Sequence, residues 1–137
     1  MNTFTLKVIA CDRVFYEGPC EIMKFPGYDG QMAVMAHHEN MTTSIEVGEI
    51  QFRTPDGVNH VAIVSDGLIQ VKNNQVNVIV YSAERPDEID AFRAQAAKER
   101  ALEQMQQKQS IIEYHISRAS LSRAMARLSG HDRYVSK

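Results

Sequence analysis

The sequence predicts an α+β protein: an N-terminal antiparallel β-sandwich or flattened barrel, residues 1–84, followed by a C-terminal antiparallel two-helix hairpin, residues 85–137. Three observations carry this. Apolar residues recur with a period of two as far as about Ser82. After the segment SAERPD the period lengthens, and a long Ala-rich run follows without Gly or Pro. The composition, 44% hydrophobic and 23% charged over 137 residues, is that of an ordinary globular protein, with room for one domain or a small domain plus an appendage.

The elements follow in order. Phe4, Leu6, Val8 and Ala10 alternate with Thr3, Thr5, Lys7 and Ile9, which describes a strand with one buried face. CEIMKF, MAVMA, EIQFRT, HVAIVS, LIQVK and QVNVIVYS continue as short strands. Turn chemistry separates them. TPDG at 54–57 has Pro second and Gly fourth, as a type I turn prefers. KNNQ at 72–75 offers two Asn residues that tolerate left-handed dihedrals. Many short strands at this spacing enclose one core most economically as two sheets or a flattened barrel.

Pro86 suits the first position of a helix, where its missing N–H costs nothing, and Asp87, Glu88 and Asp90 sit where the helix dipole favours negative charge. The first helix is predicted from there to about Gln109. The polar stretch QQKQS breaks it, and a second helix runs from about Ile111 to Leu128, with Gly130 as its C-terminal cap. Ala94, Ala97, Ala101 and Met105 form one stripe, and Tyr114, Leu121, Met125 and Leu128 a comparable one. A seam of Ala gains much less than one of Leu at about 25 cal/mol per Å², so the pairing is expected to be weak enough for a ligand or partner to change it.

Several function classes fall away. No apolar run approaches the roughly 18–20 residues needed to span a bilayer. The alternating N-terminus resembles neither a secretory signal nor a transit peptide, so a cytoplasmic setting is expected. Cys11 and Cys20 lie in strand-like segments and read as reduced, partly buried thiols. Residues 1–83 carry five Lys/Arg against nine Asp/Glu, while residues 84–137 carry ten against eight. An acidic β part and a mildly basic tail point to two surfaces with different partners, and the interleaved acids and scarce aromatics argue against nucleic acid. His37, His38 and Glu39 are adjacent, but neighbouring His residues on an extended chain point apart, so no metal site is expected. There is no G-x-S-x-G elbow and no G-x-x-x-x-G-K loop, so neither acyl transfer nor nucleotide hydrolysis is expected. Met32, Met35, Met41, Met105 and Met125 read as packing residues.

The motif IDAFRA at 89–94 fits the pattern I/L-D-x-x-R-A. It is accompanied by VFYEGPCEIMKFPGYDGQMAVM at 14–35, VSDGLIQV at 64–71, VNVIVYSAER at 76–85 and SRAMARLS at 122–129. In their order and spacing these pieces, covering nearly the whole chain, resemble the epsilon-subunit family of the bacterial F-type ATP synthase. The resemblance implies a non-catalytic subunit on the rotating central stalk. Its β domain would sit between the gamma subunit and the c-ring. Its helical tail would inhibit ATP hydrolysis when extended into the alpha/beta catalytic head and release it when folded down. The resemblance also implies ATP as a regulatory ligand of the folded tail, and a peripheral location at the cytoplasmic face of the bacterial plasma membrane.

The resemblance assigns the ATP site to Glu84, Ile89, Asp90, Arg93, Ala94, Arg100, Arg123 and Arg127. On helices, Arg93 and Arg100 share one face, as do Arg123 and Arg127. In a hairpin the start of the first helix lies near the end of the second, so the four guanidinium forks can surround one polyphosphate. Ile89 and Ala94 would border the base, with Asp90 or Glu84 accepting its amino hydrogens or holding an arginine. In the extended state Arg118, Arg123, Arg127 and Arg133 would instead meet acidic segments of the head. Without the resemblance, the same charges describe a solvated helix face. Two other readings remain open at this point: a stand-alone nucleotide-sensing module, and a helical adaptor.

The family's rotor-contact pattern, Leu-Pro-Gly-His-x-Pro-Leu, is replaced here by MAHHENM. His38 matches the family His and Gln31 stands where an acid is common; both are assigned to the rotor contact within residues 29–41. Ala36, His37 and Asn40 replace both prolines and the glycine, so the loop must turn without their dihedral preferences.

Overall fold

The protein is described by a computed structural model covering residues 2–106 and 111–135, with the backbone alone for 111–114. The chain divides into two compact units, Met1–Arg85 and Pro86–Lys137.

Among the described residues, the first unit holds one ten-stranded sheet that curls into a nearly closed barrel. Its strands are β1 Phe4–Ile9, β2 Val14–Cys20, β3 Ile22–Gly27, β4 Gly30–Met35, β5 Met41–Ile45, β6 Gly48–Arg53, β7 Asn59–Val64, β8 Gly67–Lys72, β9 Gln75–Val80 and β10 Ala83–Glu84. They run in the order β10-β7-β6-β3-β5-β8-β9-β1-β2, with β4 paired to β3. The described pairs are antiparallel except that β1 lies parallel to β9, which brings the first strand beside the ninth. The period of two is realised as burial. Leu6 and Val8 of β1, Met23 and Phe25 of β3, and Ile69 of β8 point into one core, each gaining about 1.5–3 kcal/mol by leaving water.

Two strands escape the sequence pattern. β2 buries only Cys20 fully; it ends the sheet order, and its Pro19 is tolerated because an edge strand has spare N–H positions. β5, MTTSI, keeps the alternation, but Thr43 stands between Met41 and Ile45 on its inward face and interrupts the hydrophobic repeat. The cysteines also differ from expectation. Cys11 lies outside β1, in the bend that follows it, and is exposed. Cys20 is buried and donates its Sγ–H to the Ile22 carbonyl at 3.2 Å. Burial pushes its thiol pKa up. Of the methionines read as packing, Met32 and Met41 lie against the core, whereas Met35 and Met125 are exposed.

The turns behave as their residues require. Lys72 pairs with Gln75 around a two-residue turn, with Asn73 at φ 52° and Asn74 at φ 62°, the left-handed geometry of a type I′ hairpin. At 54–57 the Gly57 amide donates to the Thr54 carbonyl at 2.9 Å. At Gly67 the constraint is space: a Cβ there would stand 2.0 Å from the Ile79 carbonyl oxygen.

The second unit opens with a 3-10 turn at Pro86–Glu88, then α1 at Ala91–Gln106 and α2 at Ile111–Tyr134. The sequence expectation of one helix starting at Pro86 is therefore corrected. Pro86 does begin a helical turn, but the Ile89 amide closes it onto the Pro86 carbonyl at 3.3 Å. The α-helix restarts behind Asp90, whose Oδ1 accepts the Arg93 amide at 3.1 Å, the geometry of an N-cap. The predicted connection at 106–110 falls beyond Gln106 outside the described residues, as does the Tyr114 side chain. The predicted stop at Gly130 is also corrected: α2 runs through it to Tyr134, and Gly130 is buried inside the helix. His131 and Arg133 in the last turn complement the helix dipole there.

The helices pack on each other. The Ser117 hydroxyl donates to Gln104 Oε1 at 3.2 Å, joining the end of α1 to the beginning of α2. Two turns further along each helix in the antiparallel sense, Ala97 comes level with Ala124. The seam buries Ala94 and Ala101 from α1, as the stripe predicts, with Ser117 and Ala124 from α2. The larger residues expected there are less fully covered: Met125 is exposed, and Leu121 and Leu128 are half-buried.

Candidate functional site

The sequence names two sites, one in each unit. In the second unit, Asp90, Arg93 and Ala94 occupy the first turn of α1. Asp90 is committed to capping through its carboxylate, and its carbonyl accepts the Ala94 amide at 3.0 Å, the first helical bond. Arg93 and Arg100 are both exposed, two turns apart on α1. Arg123 and Arg127 are half-buried, one turn apart on α2. Arg123 donates from Nη2 to the Ser120 hydroxyl at 3.2 Å, and the Arg127 Nε is shut off from solvent. In the antiparallel register set by Ser117 and Gln104, Arg127 comes level with Ala94, and Arg100 with Leu121. The four arginines thus fall on about two turns of the hairpin, one pair on each helix.

Ile89 and Ala94 are placed differently from the residues of an open rim. Ile89 is 5% exposed and Ala94 fully covered, so in this conformation both act as packing. Glu84 belongs to the first unit. It pairs with Ile63 in the short β10 strand, and the Arg13 Nη2 holds the neighbouring Ala83 carbonyl at 2.8 Å.

The loop assigned to the rotor lies in the first unit. Gln31 is exposed at the start of β4. His38 is half-buried, with Nδ1 2.8 Å from the Glu39 carbonyl. His37 adopts φ 63°, at the position where the family pattern has glycine. It is held by a residue that sequence reasoning did not single out: the Asn74 Oδ1 accepts the His37 amide at 2.7 Å. In return the Asn40 Oδ1 accepts the Asn73 amide at 3.0 Å. The Asn-Asn pair signalled a turn; nothing in the sequence signalled its reach to a loop 37 residues away.

Among the described residues no cluster of three or more His, Cys, Asp or Glu is placed to hold a metal. No described helix is long and apolar enough to cross a membrane.

Comparison with known proteins accounts for the two-part build. The beta-sandwich domain family of the ATP synthase delta/epsilon chain matches residues 3–86, and its long alpha-helix domain family matches residues 87–129. The ATP synthase epsilon chain of Ruminiclostridium cellulolyticum is 40% identical over 133 residues, covering 97% of this chain and 98% of that one. The epsilon chain of Caldanaerobacter subterraneus subsp. tengcongensis is also 40% identical, over 134 residues, covering 97% of this chain and 96% of the other. Among solved structures, a chain of the Euglena gracilis mitochondrial ATP synthase superposes with a TM-score of 0.79 at 19% identity, covering 92% of this chain and 79% of that one. A chain of the Tetrahymena thermophila enzyme, from its central stalk and c-ring, gives 0.70 at 9% identity, covering 93% and 95%. At such identities the likeness concerns the fold. The chain belongs to the delta/epsilon family of ATP synthase, as one of its non-catalytic epsilon chains.

Proposed function

We propose that this chain works on the central stalk of a bacterial ATP synthase, with its barrel against the gamma subunit and the c-ring and its helical tail acting as an ATP-responsive brake on hydrolysis by the catalytic head. Family membership over residues 3–129 supports the stalk assignment. The solved structures that share the fold come from F1/c-ring and central-stalk assemblies, which supports the partners. Attachment to the cytoplasmic face of the membrane is then peripheral, through the complex.

The observation that carries the brake is the hairpin seam. Ala94, Ala101, Ser117 and Ala124 close it, and each Ala methyl gains only about 0.8 kcal/mol on burial. An Ala seam opens at a cost that a nucleotide or a partner surface can supply. Bound at a hundred times its Kd, a ligand of the closed form alone shifts the balance by about 2.7 kcal/mol. The same arginines serve both states: Arg93, Arg100, Arg123 and Arg127 hold the polyphosphate when the tail is closed, with Ile89, Asp90 and Ala94 completing the site. When the tail extends, the arginines of α2 meet acidic surface on the head. ATP here is sensed and not hydrolysed.

The test is hydrolysis by the assembled complex with and without residues 86–137. Removing the tail is expected to raise the ATPase rate several-fold. An unchanged rate would remove the brake and leave the stalk assignment in place.

A further inference from the structure

Left-handed backbone is costly for any residue with a Cβ, and His and Asn are among the few that adopt it. Among the described residues, His37, Asn73 and Asn74 are the non-glycine positions with positive φ. They are not scattered. The Asn74 Oδ1 accepts the His37 amide at 2.7 Å, and the Asn40 Oδ1 accepts the Asn73 amide at 3.0 Å. The turn is tied down on its other side as well: the Asn74 Nδ2 donates to the Thr3 carbonyl at 2.9 Å, and the Thr5 amide to the Asn74 carbonyl at 3.2 Å. Strained backbone persists only where its surroundings over-determine it. Here two loops far apart in sequence hold each other in their strained forms, and β1 holds the pair.

The side chains beside this clasp face outward. Met35 is 60% exposed, and Glu39 and Asn40 are exposed. The loop is therefore stiffened where it also offers contact groups. We propose that Asn74 is a positioning residue for this contact loop. Acting through the His37 backbone, it fixes the direction in which His38 and its neighbours are presented to the rotor. Asn74 takes the place of a flexible glycine or a rigid proline: an acceptor supplied from the β8–β9 turn selects the left-handed form of His37. The proposal rests on the reading that residues 29–41 carry the rotor contact.

The test measures how fast the chain, labelled at its N-terminus, leaves a purified assembly of gamma subunit and c-ring, with the melting temperature of the free chain as a check on folding. Asn74→Gly keeps the left-handed turn and removes the acceptor; it is expected to dissociate roughly five- to tenfold faster, the cost of one hydrogen bond. Asn74→Asp keeps the acceptor and loses only the bond to Thr3; it is expected to stay within about twofold of the parent. Adding His37→Gly to Asn74→Gly removes the need for the clasp and is expected to recover at least half of the loss on a logarithmic scale. His38→Ala tests the underlying contact and is expected to dissociate faster by itself. Parent-like dissociation of Asn74→Gly beside a fast His38→Ala overturns the proposal and leaves the contact reading standing. A fast Asn74→Asp, or no rescue by His37→Gly, also overturns it. Parent-like dissociation of both Asn74→Gly and His38→Ala overturns the contact reading and the proposal together.

Discussion

At Gly67 a single added methyl group would overlap backbone: its Cβ falls 2.0 Å from the Ile79 carbonyl oxygen and 2.7 Å from the Val80 Cα. Neither neighbour is a side chain that can swing aside, so β8 and β9 must separate at the start of their pairing. Gly67→Ala is expected to cost about 2–3 kcal/mol or more, read as a lower urea midpoint with an unchanged slope. A second effect at this scale depends on pH. The Thr54 hydroxyl donates to the Asp56 carboxylate, the Val58 amide adds a bond at 3.2 Å, and His60 contributes a smaller attraction. Together they hold the Asp56 carboxyl below its ordinary range. A depressed carboxyl pKa contributes stability that is present above the ordinary value, about pH 4, and is lost as pH falls through the folded value. Asp56→Asn is therefore expected to flatten the acid side of the stability profile and to leave its slope above pH 6 alone. A parent-like acid limb in that variant would contradict this. Residues of this kind mark the limit of sequence reading. The Thr-Pro-Asp-Gly and Asn-Asn turns were legible because their φ preferences are local. The bond from Asn74 to His37 was not, because a side chain's reach across the fold leaves no trace in the order of residues.

For the elements, the lesson comes from helix ends. Asp90 was read as one of three acids favoured by a helix dipole, and it is the N-cap, with the helix starting one residue after it. The sequence offered Pro86 as an equally good start, and only the intervening 3-10 turn separates the two. Asp90→Ala is expected to cost the hairpin about 1 kcal/mol, seen as reduced helical ellipticity and a lower thermal midpoint; the same ellipticity in parent and variant would count against the cap. Gly130 was read as a stop because glycine so often follows a helix. It lies within α2, where propensity alone charges about 1 kcal/mol against Ala, and tertiary packing overrides it. The seam was half legible. Ala94 and Ala101 were identified because α1 carries a clean small-residue stripe, whereas α2 has apolar residues on several faces. The Leu-and-Met stripe was the natural reading there, and Ser117 and Ala124 are the residues covered. Ala124→Leu is expected to overfill the seam, at a cost of about 1–3 kcal/mol. In the assembled enzyme it should favour the open tail and deepen the inhibition of hydrolysis. Weaker inhibition in that variant would contradict the reading of the seam as the element that opens.

Across the whole molecule, the barrel and the tail are assigned different tasks. The barrel carries its strain in one clasped pair of loops and buries a continuous core of large apolar side chains, Phe4, Leu6, Phe25 and Ile69 among them. The tail closes on small residues and holds among its basic residues the four arginines Arg93, Arg100, Arg123 and Arg127. That contrast is the one the proposed brake requires. The broad fold was legible because the change of apolar period at SAERPD is abrupt. The nucleotide set is legible only through the family resemblance: by themselves the arginines have the spacing of any solvated helix. Millimolar ATP is expected to slow tryptic cleavage within α2, and identical digestion patterns with and without ATP would count against closure.

Calorimetric titration of the isolated chain with ATP, run beside Arg93→Ala, tests the switch most directly. Arg93 is exposed, and only its backbone amide is bound to the cap, so the substitution spares the helix start. Measurable heat is expected for the parent chain, with binding about ten- to a hundredfold weaker in the variant, the loss of a charged hydrogen bond to phosphate. No heat in the parent chain, or equal affinity in the two, would contradict it.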